Sequence, residues 1–267
     1  MTVFNQELLK IRKNRIEATA INFNFLKKEL AVRTADRLSE LKGNFPNTLE
    51  LGCGLGELFH TLAQQEMLEK FPYVLQADYF LNFLNANDST NKINLTFNKL
   101  PFKANSFDGI ISIFALHSMN NLPNIFSQIH KVLKPQGFFF LVMPILGTLE
   151  ELKTAMTNAE TELFNSFSPH IHPFASMQSL ADLLQSIGFQ SITADKDKIE
   201  IMYKNFNNIF KDLKGYGETN VLYKRSSYYL GKAFFKLVEK KYQIFQNKEN
   251  NHYPVSVEYC NIIGWKG

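Results

Sequence analysis

Cysteine is scarce, with only Cys53 and Cys260 in 267 residues. Two thiols cannot make a disulfide framework and show no metal-ligand spacing, so a reducing compartment, the cytoplasm, is the expected home. Long apolar runs are missing too. No stretch reaches the roughly 20 residues that a membrane-spanning helix needs, and Met1 to Arg15 alternates apolar with charged residues without an apolar core. The expectation is a soluble protein with at most peripheral contact at the inner face of a membrane. An excess of one charge is also lacking. The 29 basic residues against 25 acidic ones leave a net charge of +4, too little to make nucleic acid the partner. Internal repeats and low-complexity runs are absent, Asn247 to Asn251 being a polar loop. What remains is a globular composition, 45% hydrophobic and 20% charged, in a chain long enough for one α/β domain and an appendage.

The organising stretch is Leu49-Glu50-Leu51-Gly52-Cys53-Gly54-Leu55-Gly56-Glu57, a short apolar strand running into alternating glycines and a helix. Glycine has no Cβ, so backbone N–H groups and a helix N-terminus can approach a ligand closely. The dinucleotide fingerprint spaces its glycines Gly-x-Gly-x-x-Gly; here the third comes one residue early, and Glu50 precedes the first. Tyr73 to Ala77 predicts a second strand ending at Asp78, 22 residues beyond Gly56. An acid at that distance is placed to accept both hydroxyls of a ribose, although a strand-end turn or helix cap also suits an Asp.

Before the loop, residues 5 to 18 read as a basic amphipathic helix, with Leu8, Leu9, Ile11 and Ile16 against Lys10, Arg12, Lys13 and Arg15, and Phe25 to Leu41 as a second helix. After it come a helix from Glu57 to Leu68, strands at Ile93 to Phe97, Ile110 to Phe114 and Phe138 to Met143, and a helix from Leu122 to Leu133 that ends in the turn Lys134-Pro135-Gln136-Gly137. Strands alternating with helices predict an α/β, doubly wound, mainly parallel sheet. Gly52, Asp78, Asn98 and Phe114 would converge at its switch point. Further on, helices are expected over Leu149 to Phe164 and Ser179 to Ile187, and a hairpin over Ser191 to Ala194 and Lys198 to Tyr203, turning at Asp195-Lys196-Asp197. Another helix ends near Gly215-Tyr216-Gly217. A basic amphipathic helix over Ser227 to Phe245 precedes a final strand with Ile262-Ile263-Gly264-Trp265.

The strand-Glu-x-Gly-x-Gly-x-Gly form is similar to motif I of class I S-adenosylmethionine methyltransferases. Together with Leu100-Pro101-Phe102, Ser106-Phe107-Asp108 and Leu133 to Gly137, it resembles the methyltransferases of biotin synthesis, which act on a free carboxyl of malonyl carrier protein. The distal segments Phe167 to Phe174, Leu213 to Asn220 and Ile263 to Lys266 are similar to the complex I assembly factors of the same superfamily, reported as protein-arginine hydroxylases, and to their alphaproteobacterial counterparts. The resemblance implies a Rossmann-like seven-stranded sheet with N-terminal helices and a helical C-terminal appendage. It divides the chain into a helical cap (1–45), a cofactor-binding core (46–146) and a segment that completes the sheet and meets substrate or partner (147–267).

S-adenosylmethionine is the cofactor so implied, with Gly52, Gly54 and Gly56 around its methionine and ribose, Glu50 supporting the amino end and Asp78 holding the ribose; Cys53, Tyr79, Thr96, Asn98, Leu100 and Phe114 complete the set. Two positions depart from the family pattern. Thr96 stands where relatives carry an Asp for the adenine amino group, and Ser118 where they tend to have Trp. The implied reaction is methyl transfer to a carboxylate, a carrier protein or a protein side chain. The alternative is a complex I assembly factor acting as an arginine hydroxylase or subunit chaperone.

Methyl transfer needs positioning and desolvation more than a base. His117, after the fourth strand, is the best placed base for an amine or phenol, or else a histidine packed at a strand end. His170, also a catalytic candidate, and His172 sit in a proline-bounded loop and can bind a substrate carboxylate, bond the loop backbone or ligate a metal. As ligands they lack a third partner, so no metal is expected. Tyr216 and Glu218 suit a lid or an exposed turn. The lysine-rich C-terminal helix suits packing with a solvated face, or docking to an acidic protein or anionic membrane surface.

Overall fold

The computed structural model describes residues 2–15, 20–226 and 230–267. The expected extension of the first helix through Ile16 and the start of the C-terminal helix at 227–229 lie outside the described residues. Seven strands form one sheet in the order β3-β2-β1-β4-β5-β7-β6. They are β1 (Thr48–Leu51), β2 (Val74–Asp78), β3 (Lys92–Asn94), β4 (Phe107–Ile113), β5 (Leu133–Pro144), β6 (Phe189–Tyr203) and β7 (Tyr253–Lys266). The first five are parallel, and β7 runs antiparallel between β5 and β6. The expected doubly wound, mainly parallel seven-stranded sheet is therefore what the chain forms.

All four residues of β1 are buried, because helices cover both faces of a parallel sheet. On one face α2 (Phe25–Ser39) and α3 (Glu57–Gln64) pack Leu30, Leu38, Leu58 and Leu62 onto Ile111, Phe138 and Phe140. On the other, α5 (Leu122–Val132) and α7 (Met177–Ile187) set Phe126, Ile129 and Leu184 against Ile110, Phe139 and Ile262. A third core joins α6 (Glu150–Phe164), α8 (Asn207–Gly215) and α9 (Gly231–Tyr242) through Leu152, Met156, Ile209, Phe234 and Tyr242. The basic helix α9 thus buries Phe234 and Val238 and leaves Lys232, Lys236 and Lys240 exposed. Helix α1 (Gln6–Asn14) and the short α4 (Leu81–Ala86) close the cleft end of the sheet.

Three local expectations are corrected. The hairpin at Asp195-Lys196-Asp197 does not exist: β6 is one continuous strand whose register with β7 runs from Phe189↔Lys266 to Tyr203↔Tyr253. The charges that suggested a turn are satisfied within the strand. Arg37 holds Asp195 at 2.5 and 2.9 Å, Arg33 reaches Asp197 at 3.0 Å, and Lys196 meets Glu258 at 2.5 Å. A charged outer strand also protects the sheet edge. The third strand is only three residues long, so the chain leaves the sheet before Thr96. Lys134 to Gly137 is a bulge inside β5, where pairing with β4 jumps from Phe107↔Leu133 to Gly109↔Phe138.

Candidate functional site

At the carboxyl end of β1 the chain turns through Gly52 (φ 84°) and Gly54 (φ 60°), backbone conformations that disfavour any side chain. A Cβ on Gly52 would lie 2.0 Å from Ala115 Cβ, so the loop is pressed against the segment after β4. Asp78, at the end of β2, is buried. Its Oδ2 accepts from the Gly54 amide and its Oδ1 from the Phe80 amide, both at 2.8 Å. Burial raises the Asp78 carboxyl above its ordinary range despite the nearby Lys27 ammonium and these two amides. Glu50 lies beneath the loop, where Oε2 accepts from Gln76 Nε2 at 3.1 Å and Oε1 has no partner among the described residues. Burial outweighs Lys27 there and pushes Glu50 up to about 8.

The cleft beside the loop is lined by Gly52, Gly54, Asp78, Phe114 and His117, among others. Other expected cofactor residues fall elsewhere. Gly56 opens α3 and packs on the Asn87 side chain. Cys53 is fully buried, and burial drives its thiol well above the ordinary range. Leu100 belongs to the core, and Tyr79 is half-buried with its ring 6.2 Å from that of Phe97. Thr96 and Asn98 are exposed; because β3 ends early, it is Phe97 between them that lines the cleft. Asn98 does not join Gly52, Asp78 and Phe114.

Two lysines that sequence reasoning missed fill the cleft. Lys27 on α2 is buried and donates to Gly52 O at 2.7 Å. Burial would lower its pKa, but Glu57, Asp78 and Glu50 together raise it, so the ammonium stays charged. Lys13 on α1 donates to Glu218 Oε1 at 2.5 Å and to Tyr216 O at 3.0 Å. Both positions could have been found: Lys27 shares the helical spacing of Leu30, Ala31 and Thr34, and Lys13 follows Leu9 by four residues, so each lies on its helix's buried face. With these lysines in place the cleft retains a volume of about 30 Å³. The carboxylate at the end of β2 and the glycines of the loop are groups of the kind that a nucleoside cofactor would need, and at this volume the cleft would admit one only with the ends of Lys27 and Lys13 displaced.

A second cluster borders this cleft. Phe114 (φ 48°) kinks the chain after β4 and turns His117 toward Glu218, with Nε2 and Oε2 3.0 Å apart. Burial pushes the Glu218 carboxyl up, yet Lys13 and His117 outweigh it and hold the group well below its ordinary range. His172 places Nδ1 3.3 Å from Ser118 Oγ. Burial is the main cause that lowers its imidazole to about 4, and His117 adds to it. One donor atom each from His117, His172 and Glu218 lie within 4.8 Å of one another, and His117 Nδ1 and His172 Nε2 are buried without a partner among the described residues. Glu218 is therefore no exposed turn residue. His170 points the other way: Nε2 is 2.9 Å from Glu160 Oε2, under α6 and outside the cleft, which removes it as a catalytic candidate.

Beyond this cluster lies an apolar cavity of about 120 Å³ lined by Phe25, Phe114, Phe174, Tyr203, Asp212 and Glu218. His117 and Glu218 line both it and the cleft. A family described as a methyltransferase domain matches residues 23–194. The chain belongs to the methyltransferase-domain family. It is 34% identical over 272 residues to the human mitochondrial arginine-hydroxylase NDUFAF5, a match spanning 100% of this chain and 77% of that protein. With the malonyl-[acyl-carrier protein] O-methyltransferase of Gallionella capsiferriformans it shares 26% identity over 258 residues, 90% of this chain and 84% of the other. The YcgJ protein of Bacillus subtilis, a solved structure with a TM-score of 0.61 and 15% identity, covers 89% of this chain and 98% of its own. At that identity the likeness concerns the fold, which is the Rossmann-like class I methyltransferase sheet. Among the described residues no helix is long and apolar enough to cross a membrane.

Proposed function

We propose that this methyltransferase-family enzyme binds S-adenosylmethionine and modifies an arginine side chain of a protein partner. The observation that carries the reading is the chemistry of the apolar cavity. Its walls mix aromatic with aliphatic side chains and, among the described residues, carry Asp212 and Glu218 as acids and Lys27 as a cation; Lys27 is committed to Gly52 O and Glu218 to Lys13 and His117, which leaves Asp212, beside the Tyr203 hydroxyl, as the acid available to a ligand. Such a lining suits a planar, cationic guanidinium, which stacks on rings and pairs with carboxylates. A malonyl carboxylate would meet like charge there. The likeness to the arginine hydroxylase, over all of this chain and 77% of that protein, points the same way, and the partner implied by that resemblance is a subunit of respiratory complex I.

Gly52, Gly54, Asp78 and Phe114 would hold the cofactor, which supplies a methyl group on a sulfonium when it is the donor. Residues 1–45 and 147–267 bring Lys13, Lys27, His172 and Glu218 to the 46–146 core, as cap and acceptor wall. His117 and Glu218 stand at the boundary of the two cavities, where donor and acceptor meet. The cytoplasm, with at most peripheral membrane contact, is the proposed location.

The test is mass spectrometry of arginine-containing and lysine-containing peptides, and of malonyl carrier protein, after incubation with enzyme, S-adenosylmethionine, air and a two-electron reductant such as ascorbate, since inserting one oxygen atom of O2 into a C–H bond sends the other to water and consumes two electrons. Gain of a methylene or of an oxygen on arginine supports the reading and tells methylation from hydroxylation. Modification of the carrier protein alone overturns it.

A further inference from the structure

We infer that His117, His172 and Glu218 form a binding site for a divalent first-row transition-metal ion, with coordination positions left open toward the apolar cavity. The inference does not depend on which acceptor that cavity takes.

The three residues come from separate parts of the chain: the segment after β4, the proline-bounded loop between α6 and α7, and the turn that follows α8. The fold nonetheless gathers one donor atom from each within 4.8 Å. Metal bonds of about 2.1 Å hold adjacent ligands about 3 Å apart. His117 Nε2 and Glu218 Oε2 already have that separation, at 3.0 Å, so only the His172 ring has to swing inward.

The unpaired His172 nitrogen is an independent observation. A buried polar atom without a partner calls for an explanation. His172 Nε2 lacks one among the described residues and belongs to this cluster, whereas the unpaired His117 Nδ1 is the ring nitrogen away from Glu218 Oε2 and an ion held on Nε2 does not account for it. A metal ion is the partner that two imidazoles and a carboxylate share best. The surrounding bonds are those that orient ligands. Ser118 Oγ stands 3.3 Å from His172 Nδ1, the nitrogen opposite the unpaired one, and Lys13 holds Glu218 Oε1, leaving Oε2 for the ion.

Two imidazole nitrogens and one carboxylate oxygen select a borderline metal such as Fe(II), Mn(II), Co(II) or Zn(II) over Ca²⁺ or Mg²⁺. Three protein ligands leave room for water or substrate. The open side faces the cavity lined by Phe174, Tyr203 and Asp212, since His117 and Glu218 are part of its wall.

The experiment is anaerobic titration of the chelator-stripped full chain with Co(II), followed by its ligand-field absorption and by competition with Fe(II). Bands that saturate at one equivalent are expected. His172→Ala should weaken binding at least tenfold, and His60→Gln, an exposed residue paired with Asp88, should leave it unchanged. His172 packs edge-on against Phe4, so its removal can disturb the fold. Should circular dichroism show that, Ser118→Ala decides instead, with binding about tenfold weaker. Absence of bands at millimolar Co(II), or a folded variant of His172 or Ser118 that binds as tightly as the wild type, overturns the inference. Neither readout uses catalysis, so failure here is separable from failure of the arginine reading.

Discussion

Two histidine–carboxylate pairs lie within this chain at nearly the same distance, His170–Glu160 at 2.9 Å and His117–Glu218 at 3.0 Å. The first is closed. Glu160 is 0% exposed and also receives the Ser168 amide and hydroxyl, at 2.8 and 2.7 Å, while the His170 ring lies 5.6 Å from that of Phe234. The second is open. Glu218 keeps 25% of its side-chain surface, cavities lie beside it, and two ring nitrogens nearby have no partner among the described residues. Both histidines are buried, at 6% and 8% exposure, so it is the carboxylate and its surroundings that set the second pair apart. The difference is polar capacity left unused next to space that a ligand can enter.

Stability separates the pairs first. Glu160→Ala removes one partner of a buried pair and leaves His170 and Ser168 unsatisfied, so denaturant unfolding should show a loss of about 3–5 kcal/mol. Glu218→Ala should cost about 1–2 kcal/mol, because water reaches that site and replaces part of what is lost. Equal losses would break the comparison.

Glu50 is a third buried carboxyl with an unused oxygen, although it lies beneath the loop and lines neither cavity. In the unfolded chain it loses its proton near 4.5, whereas the folded chain holds the proton up to about 8. Between those pH values the unfolded state binds fewer protons, so folding stability falls as pH rises, being fully present below 4.5 and lost by about 8. Glu50→Gln should flatten this slope, raising stability at pH 8 by about 2–4 kcal/mol over the wild type and leaving it unchanged near pH 4.5. Thermal melts across that range provide the check. A slope that survives the substitution would assign it to Asp78 instead.

The division also explains what could be read from the chain beforehand. The glycine loop, Asp78 and the strand-helix alternation are local patterns, each carried by residues a short distance apart, and the doubly wound, mainly parallel character of the sheet followed from them. Asp195 to Asp197 misled because a local turn signal competes with pairing to a strand that arrives some sixty residues later. Lys13 and Lys27 were hidden by their charge, although helical spacing put them on buried faces. The third partner of the histidine loop was invisible for the same reason of distance: Glu218 meets His117 across 101 positions of sequence. His170 and His172, two residues apart, have opposite fates because the loop turns one toward α6 and the other toward Ser118.

The cleft at the glycine loop offers the smaller and sharper tests. Asp78→Ala should weaken S-adenosylmethionine binding about tenfold in calorimetry, the loss of one charged hydrogen-bond acceptor. Lys27→Met should act in the opposite direction, by a few-fold. The Lys27 ammonium occupies Gly52 O at 2.7 Å, beside the loop that the family resemblance assigns to the cofactor's methionine end. It also offsets Glu57 and Asp78. Removing it frees the carbonyl and leaves those acids to attract a cationic ligand. S-adenosylmethionine carries a sulfonium charge that S-adenosylhomocysteine lacks, so the gain should favour the former. Weaker binding of both ligands would make Lys27 a direct cofactor contact, and the cleft would then count as closed in the sense that the Glu160 site is, its polar groups already matched before any ligand arrives.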